Sequence, residues 1–369
     1  MADLLVRGGR VIDGTGAPAT TADVRVRDGI IVEVGASLDS QCEATFDADG
    51  AYVTPGFIDI HTHFDGSIWW DPSVDPMPLH GVTTVVTGNC AISLAPVNPE
   101  DQAALVDMFC YIEDLPVGPV SSAVPWTWRT WPEYRAAFNA VGASCNVAPL
   151  VGHSNLRLAV LGEESFERAA SDDERERLVT LTLECLQAGA FGVSLSFVDL
   201  DSAGRRVPSR LASPDELRDI ADSLASTGRG LVQYVPRFMR TDGYLKDIDR
   251  VSAACGAAGV AHTYAPVLTG RRSRETTDAV MEHTREVRAR PEGACGRRCR
   301  RAQGSTPAWC STGRRRRTPG CRHGRRWQGR PERRRPPCWP TRPGGTGRGG
   351  TGRARPSPCS PSTRWRRWW

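Results

Sequence analysis

PGFIDIHTHFD, residues 55–65, holds a short, mostly apolar run (57–60) that delivers two histidines, His61 and His63, with a single residue between them. On an extended backbone alternate side chains point the same way, so both imidazoles can face one point in space. Tetrahedral zinc takes nitrogen donors in this way, and neutral imidazole is the commonest protein ligand for metals. Two surface histidines would give the same local pattern, so the reading depends on what flanks the pair.

Upstream, the chain reads as a small β unit. DLLVRGGRVID carries apolar residues on a roughly two-residue period, followed by a glycine-rich turn at 14–16. ADVRVRDGIIVEVG repeats the pattern around Asp28 and Gly29, a tight-turn pair. On spacing alone these are two hairpins of any β fold. Downstream, five more apolar runs follow: GVTTVVTGNC ending in Cys90, SCNVAPLVGHS reaching His153, AGAFGVSLSF, GRGLVQYVP and GVAHTYAPVL. Amphipathic helical stretches separate several of them. One opens at Ser171 with acids in its first turn; another opens at Ser213 with Glu216 three residues on and Gly228 past its end. Nearly continuous apolar strands alternating with helices indicate parallel βα units, with polar residues gathered at the strand ends. A (β/α)8 barrel keeps its active site at those ends and needs about 250 residues for eight units. Six strands are visible here, so the barrel is expected to be incomplete.

Composition breaks sharply near residue 290. Residues 291–369 contain no Leu, Ile, Val, Met, Phe or Tyr, but 22 Arg against two acids, Glu292 and Glu332, with six Cys and six Trp. Their net charge of +20 within a whole-chain +5 leaves −15 for residues 1–290. Arginine runs such as 314–317 could neutralise phosphates as a nucleic-acid-binding arm, and an ordinary linker is a second reading. Translation in a shifted frame of a GC-rich gene accounts best for the mixture, since the chain has a single lysine, Lys246. Without aliphatic residues the segment cannot offset its ordering entropy, and a disordered C-terminal tail is expected. The N-terminus has no basic stretch followed by a long apolar run, and no apolar run reaches membrane-spanning length. Six scattered cysteines in 1–290 form no short even framework. Free thiols and a cytoplasmic location are therefore expected.

Several stretches make the reading specific. PGFIDIHTHFDG resembles the first metal-binding strand of the amidohydrolase superfamily. HGVTTVVTGNC running into AISLAPV, with WTWRTWPEYRAAF, GHSNLRLAVLG, ERAASDDERERL, QAGAFGVSLSF and RRVPSRLASPDEL, resembles its N-acyl-D-amino-acid deacylase (D-aminoacylase) branch over residues from about 4 to 288. The resemblance implies an α/β fold: an incomplete TIM-like (β/α) barrel of the metal-dependent hydrolase type over 55–290, preceded by the 1–54 segment of a small β-sandwich. It implies a zinc cofactor, a small-molecule acylated amino acid as partner, and hydrolysis of a non-peptide amide bond.

The same resemblance places a metal-binding thiolate at Cys90, after Gly88 and Asn89. With His61 and His63 it would form a three-ligand zinc site that leaves a fourth position open. His262, in GVAHTYAPV, is a candidate further ligand or an ordinary polar strand residue. Asp65, Asn89 and His153 are candidates for touching substrate or for bracing the ligands from behind. Arg157 and Arg210 are read as surface ion-pairing residues, with substrate carboxylate binding as the alternative. Two departures stand out. YVPRFMR has Phe238 where the branch often has histidine. The branch's catalytic aspartate falls beyond residue 290, where this chain has no Asp, so no catalytic acid–base is assigned. A cyclic-amide hydrolase of the hydantoinase or dihydropyrimidinase type is disfavoured, because it needs a carboxylated lysine at a strand end. A non-catalytic protein binding nucleic acid through the tail is also disfavoured.

Overall fold

Asp28 and Gly29 both adopt positive φ, 54° and 78°, and close the tight hairpin between β2 (Thr20–Arg27) and β3 (Ile30–Gly35). β2 also pairs antiparallel with β1 (Asp3–Val11), whose other edge takes β4 (Ala44–Asp47) and β5 (Tyr52–Val53) in parallel. The result is one five-stranded mixed sheet. On this sheet Leu5, Ala22 and Val24 are buried, while Ile31, Val34, Phe46 and Tyr52 are exposed. The structure is a computed structural model that describes residues 3–268 and 273–290. The tail, 291–369, and its expected disorder lie outside the described residues.

The six apolar runs from residue 57 onward form one parallel sheet in chain order: β6 (Phe57–Asp59), β7 (Val82–Thr87), β8 (Asn146–Gly152), β9 (Gly192–Ser196), β10 (Leu231–Val235) and β11 (Ala261–Tyr264). Strand alternation sorts their side chains. Val151, Val193, Leu195, Val232 and Tyr234 pack into the main core against the helices. Val86, Ala148 and Leu150 form a small separate cluster. Both end strands, β6 and β11, have one paired edge among the described residues, and Phe57 and Ile58 on β6 are exposed. This is a parallel half-barrel, the incomplete TIM-like barrel expected from the strand count.

The covering helices are α1 (Phe64–Ser67), α2 (Gln102–Ile112), α3 (Val117–Ala123), α4 (Trp131–Val141), α5 (His153–Leu161), α6 (Asp172–Gln187), α7 (Pro214–Thr227), α8 (Thr241–Ala258) and α9 (Arg274–Ala289). α6 starts at a full capping box, Ser171 with Glu174. At α7 Ser213 accepts from the Glu216 amide at 3.1 Å, but the Glu216 carboxylate turns into the core instead of back to the cap. Trp128 and Trp131 are buried, and Trp128 stacks on Trp69 and donates to Leu94 O at 2.7 Å. None of the described helices is long and apolar enough to cross a membrane.

Candidate metal centre

His61 and His63 follow β6, and Cys90 follows β7, all at the C-terminal ends of their strands. The Cys90 Sγ lies 3.4 Å from His61 Nε2 and 3.6 Å from His63 Nε2. The two rings sit edge to face with centroids 5.2 Å apart. Among the described residues, these three form the group whose donor atoms all lie within 4.8 Å of one another. The alternation that follows β6 therefore does bring both imidazoles to one point, and the GNC turn brings the thiol to meet them.

The turn is held against its own backbone preference. Gly88 has φ 73°, and Cys90 and Ala91 are left-handed at 56° and 64°. Non-glycine residues there cost about 1–3 kcal/mol each and persist only where surroundings over-determine them. The Asn89 amide donates to Thr62 O at 3.1 Å and to Val86 O at 3.0 Å, tying the turn to the residue between the histidines. The Gly88 N–H donates to Asp65 Oδ2 at 3.1 Å, and the Ser194 hydroxyl donates to Gly88 O. From the first turn of α5, the Ser154 amide donates to Ala91 O at 3.0 Å. Asn155 brackets Ser93, accepting from its amide at 2.9 Å and donating to its carbonyl at 2.8 Å. The GHSN segment is thus a clamp on the cysteine turn.

Burial lowers both histidines, His63 to about 3 with help from His61, so both are neutral imidazoles at pH 7. Burial also pushes the Cys90 thiol well up, and nearby Glu113, Asp199 and Asp65 add to the push. Asp65 is raised to about 7 by burial, and Glu113 to about 8 by burial and by Asp199 and Asp65. Neutral imidazoles and a thiol beside the carboxyls of Asp65, Glu113 and Asp199 are a donor set that a divalent cation satisfies. Its charge would reverse the repulsion and draw the thiol proton off. The residues fit zinc: two nitrogens and one sulfur are three of the four donors that tetrahedral zinc takes.

Other candidates fall in different places. Asp65 and Asn89 are buried and brace the cysteine turn as described. His153 is 1 % exposed, with Nδ1 3.1 Å from Ser209 Oγ and Nε2 2.7 Å from Glu216 Oε1. His262 is not brought to the three donors. It pairs in register with Val232, which packs on the helix side, and its ring lies beside Tyr234, with Arg288 of α9 acting on it. Arg157 is not a surface residue: it is fully buried and clamps Glu216 at 2.8 and 2.6 Å. Arg210 donates to the carbonyls of Val198 and Asp199. Lys246 is exposed on α8, away from any strand end. Sequence reading missed Glu113, whose Oε1 is 3.1 Å from His63 Nδ1, and Asp199. Neither belongs to a recognised motif.

A family model described as the amidohydrolase family matches residues 44–260. The N-acyl-D-aspartate deacylase of Alcaligenes xylosoxydans xylosoxydans is 40% identical over 224 residues, covering 60% of this chain and 41% of that protein. The D-aminoacylase of the same organism is 34% identical over 226 residues, covering 61% and 43%. The N-acyl-D-glutamate deacylase of Bordetella bronchiseptica, solved with zinc and a phosphonate inhibitor, superposes with a TM-score of 0.60 at 31% identity, covering 77% of this chain and 56% of that one. The chain spans about two fifths of the length of the curated relatives it matches. The matched residues take in more than half of the chain, every strand from β4 to β10, and His61, His63 and Cys90 together. The chain belongs to the amidohydrolase family.

Proposed function

We propose that this chain carries the zinc-binding half of a hydrolase that deacylates N-acyl-D-amino acids. The observation that carries the reading is the convergence of His61, His63 and Cys90 from two strand ends. The named relatives, all deacylases of D-amino-acid derivatives, support the substrate class. When bound, zinc supplies a polarised scissile carbonyl and an ionised water. The chain's own part is to present two neutral imidazole Nε2 atoms, to release the Cys90 proton, and to keep the donors half-buried from bulk water. A carboxylate that shuttles the proton to the departing amine belongs, by the family resemblance, to a later strand. The scattered free thiols support a cytoplasmic location.

The test is to resequence codons 280–300 and express the chain in the frame that continues the barrel. That product is expected to bind zinc and to hydrolyse N-acetyl-D-amino acids in preference to their L-enantiomers and to hydantoins. Ring opening of hydantoins without deacylation would replace this reading with the cyclic-amide one. If the frame stands as written, the deacylase reading of this product fails, and salt-sensitive nucleic-acid binding by the tail is the reading to pursue.

A further inference from the structure

Glu113 caps the C-terminus of α2, its amide bonded to Phe109 O at 3.1 Å. α2 is anchored by Leu105, Met108 and Phe109, all fully buried. The carboxylate therefore stands on a fixed element, with a side chain 12% exposed. Its Oε1 is 3.1 Å from His63 Nδ1, and both are buried atoms without a hydrogen-bond partner among the described residues. Nε2 of the same ring lies 3.6 Å from Cys90 Sγ, and the Glu113 carboxyl also acts on that thiol.

A neutral imidazole has one lone pair to give, and its other nitrogen must carry the proton. We infer that Glu113 is a positioning residue of the metal centre: a carboxyl oxygen accepts the His63 Nδ1–H and fixes the ring with Nε2 toward the metal. The inference rests on the zinc reading of His61, His63 and Cys90. A carboxylate behind a ligating histidine fixes its tautomer and orientation, and loss of such a partner weakens metal binding about 10–100-fold.

The experiment measures zinc affinity of the full chain by competition with a chromophoric chelator, and the His63 ring nitrogens by NMR in the zinc-loaded protein. Wild type is expected to bind zinc through His63 Nε2, with the Nδ1–H signal shifted downfield by its acceptor. Glu113→Ala is expected to bind about 10–100-fold more weakly and to lose that shift. Glu113→Gln, which keeps an acceptor oxygen, is expected to recover most of both. Zinc bound through His63 Nδ1 would overturn the inference. So would a Glu113→Ala protein that binds within twofold of wild type with its Nδ1–H signal unmoved. Equal loss in the Gln and Ala variants would also overturn it, because it would assign Glu113 to the fold. A wild-type chain that takes up no zinc overturns the metal reading itself, and is told apart because the variants are then irrelevant to the loss.

Discussion

Arg157→Ala is expected to destabilise the fold by about 3–5 kcal/mol, the cost of leaving a buried charge without its partner. Arg157 and Glu216 are 0% and 1% exposed, and Arg157 also donates to Arg168 O at 2.6 Å. Burial alone would push the Glu216 carboxyl up, but His153 and Arg157 outweigh it and hold it at about 2. Burial pushes His153 down, so it is neutral and donates Nε2–H to Glu216 while Nδ1 accepts from Ser209. Ser209 in turn accepts from the Ser196 amide at the end of β9. The chain of bonds fastens α5, α7 and β9 to one another.

The same network sets an acid limit. Glu216 has an ordinary value of 4.5 in the unfolded chain and about 2 in the folded one. Its contribution is complete above pH 4.5, falls as the unfolded state protonates first, and is gone below about 2. His153, neutral when folded, adds a loss that begins as pH falls below 6.5. Urea midpoints across pH 7 to 3 check both. A wild-type midpoint that does not fall, or an Arg157→Ala midpoint equal to wild type, would contradict this account of the core.

Gly88→Ala is expected to be at least as damaging and to remove metal binding with it. A Cβ at Gly88 would lie 2.0 Å from Leu150 O and 2.9 Å from its carbonyl carbon, both backbone atoms of the neighbouring strand. Its φ of 73° adds the left-handed penalty. The clash cannot be relieved by a rotamer change, so β7 and β8 must part, and Cys90 two residues on must move. A loss beyond about 4 kcal/mol is expected, in the range reserved for such mechanisms. Soluble protein with normal zinc content and an unchanged urea midpoint would show that the turn tolerates displacement.

Much of this was legible because local pattern and global fold agree. The six apolar runs became the six parallel strands, and HTH and GNC became the converging donors. What failed to show was whatever depends on register or on distant partners. Glu216 reads as a helix-cap residue, yet its carboxylate turns inward to His153 and Arg157, about sixty residues earlier in the chain. Arg157 reads as a surface base and is buried for the same reason. His262 sits at a strand, but its register with Val232 turns it toward the helices. Glu113 meets His63 across fifty residues of chain, and no spacing rule announces it.

The most direct test of the central claim is the zinc content of purified, soluble chain, measured by mass spectrometry of the metal for wild type and for Cys90→Ala. Wild type is expected to hold zinc in defined stoichiometry, and Cys90→Ala, with its fold confirmed by circular dichroism, to lose it. Unchanged zinc in soluble Cys90→Ala would contradict the assignment of His61, His63 and Cys90 as the metal centre.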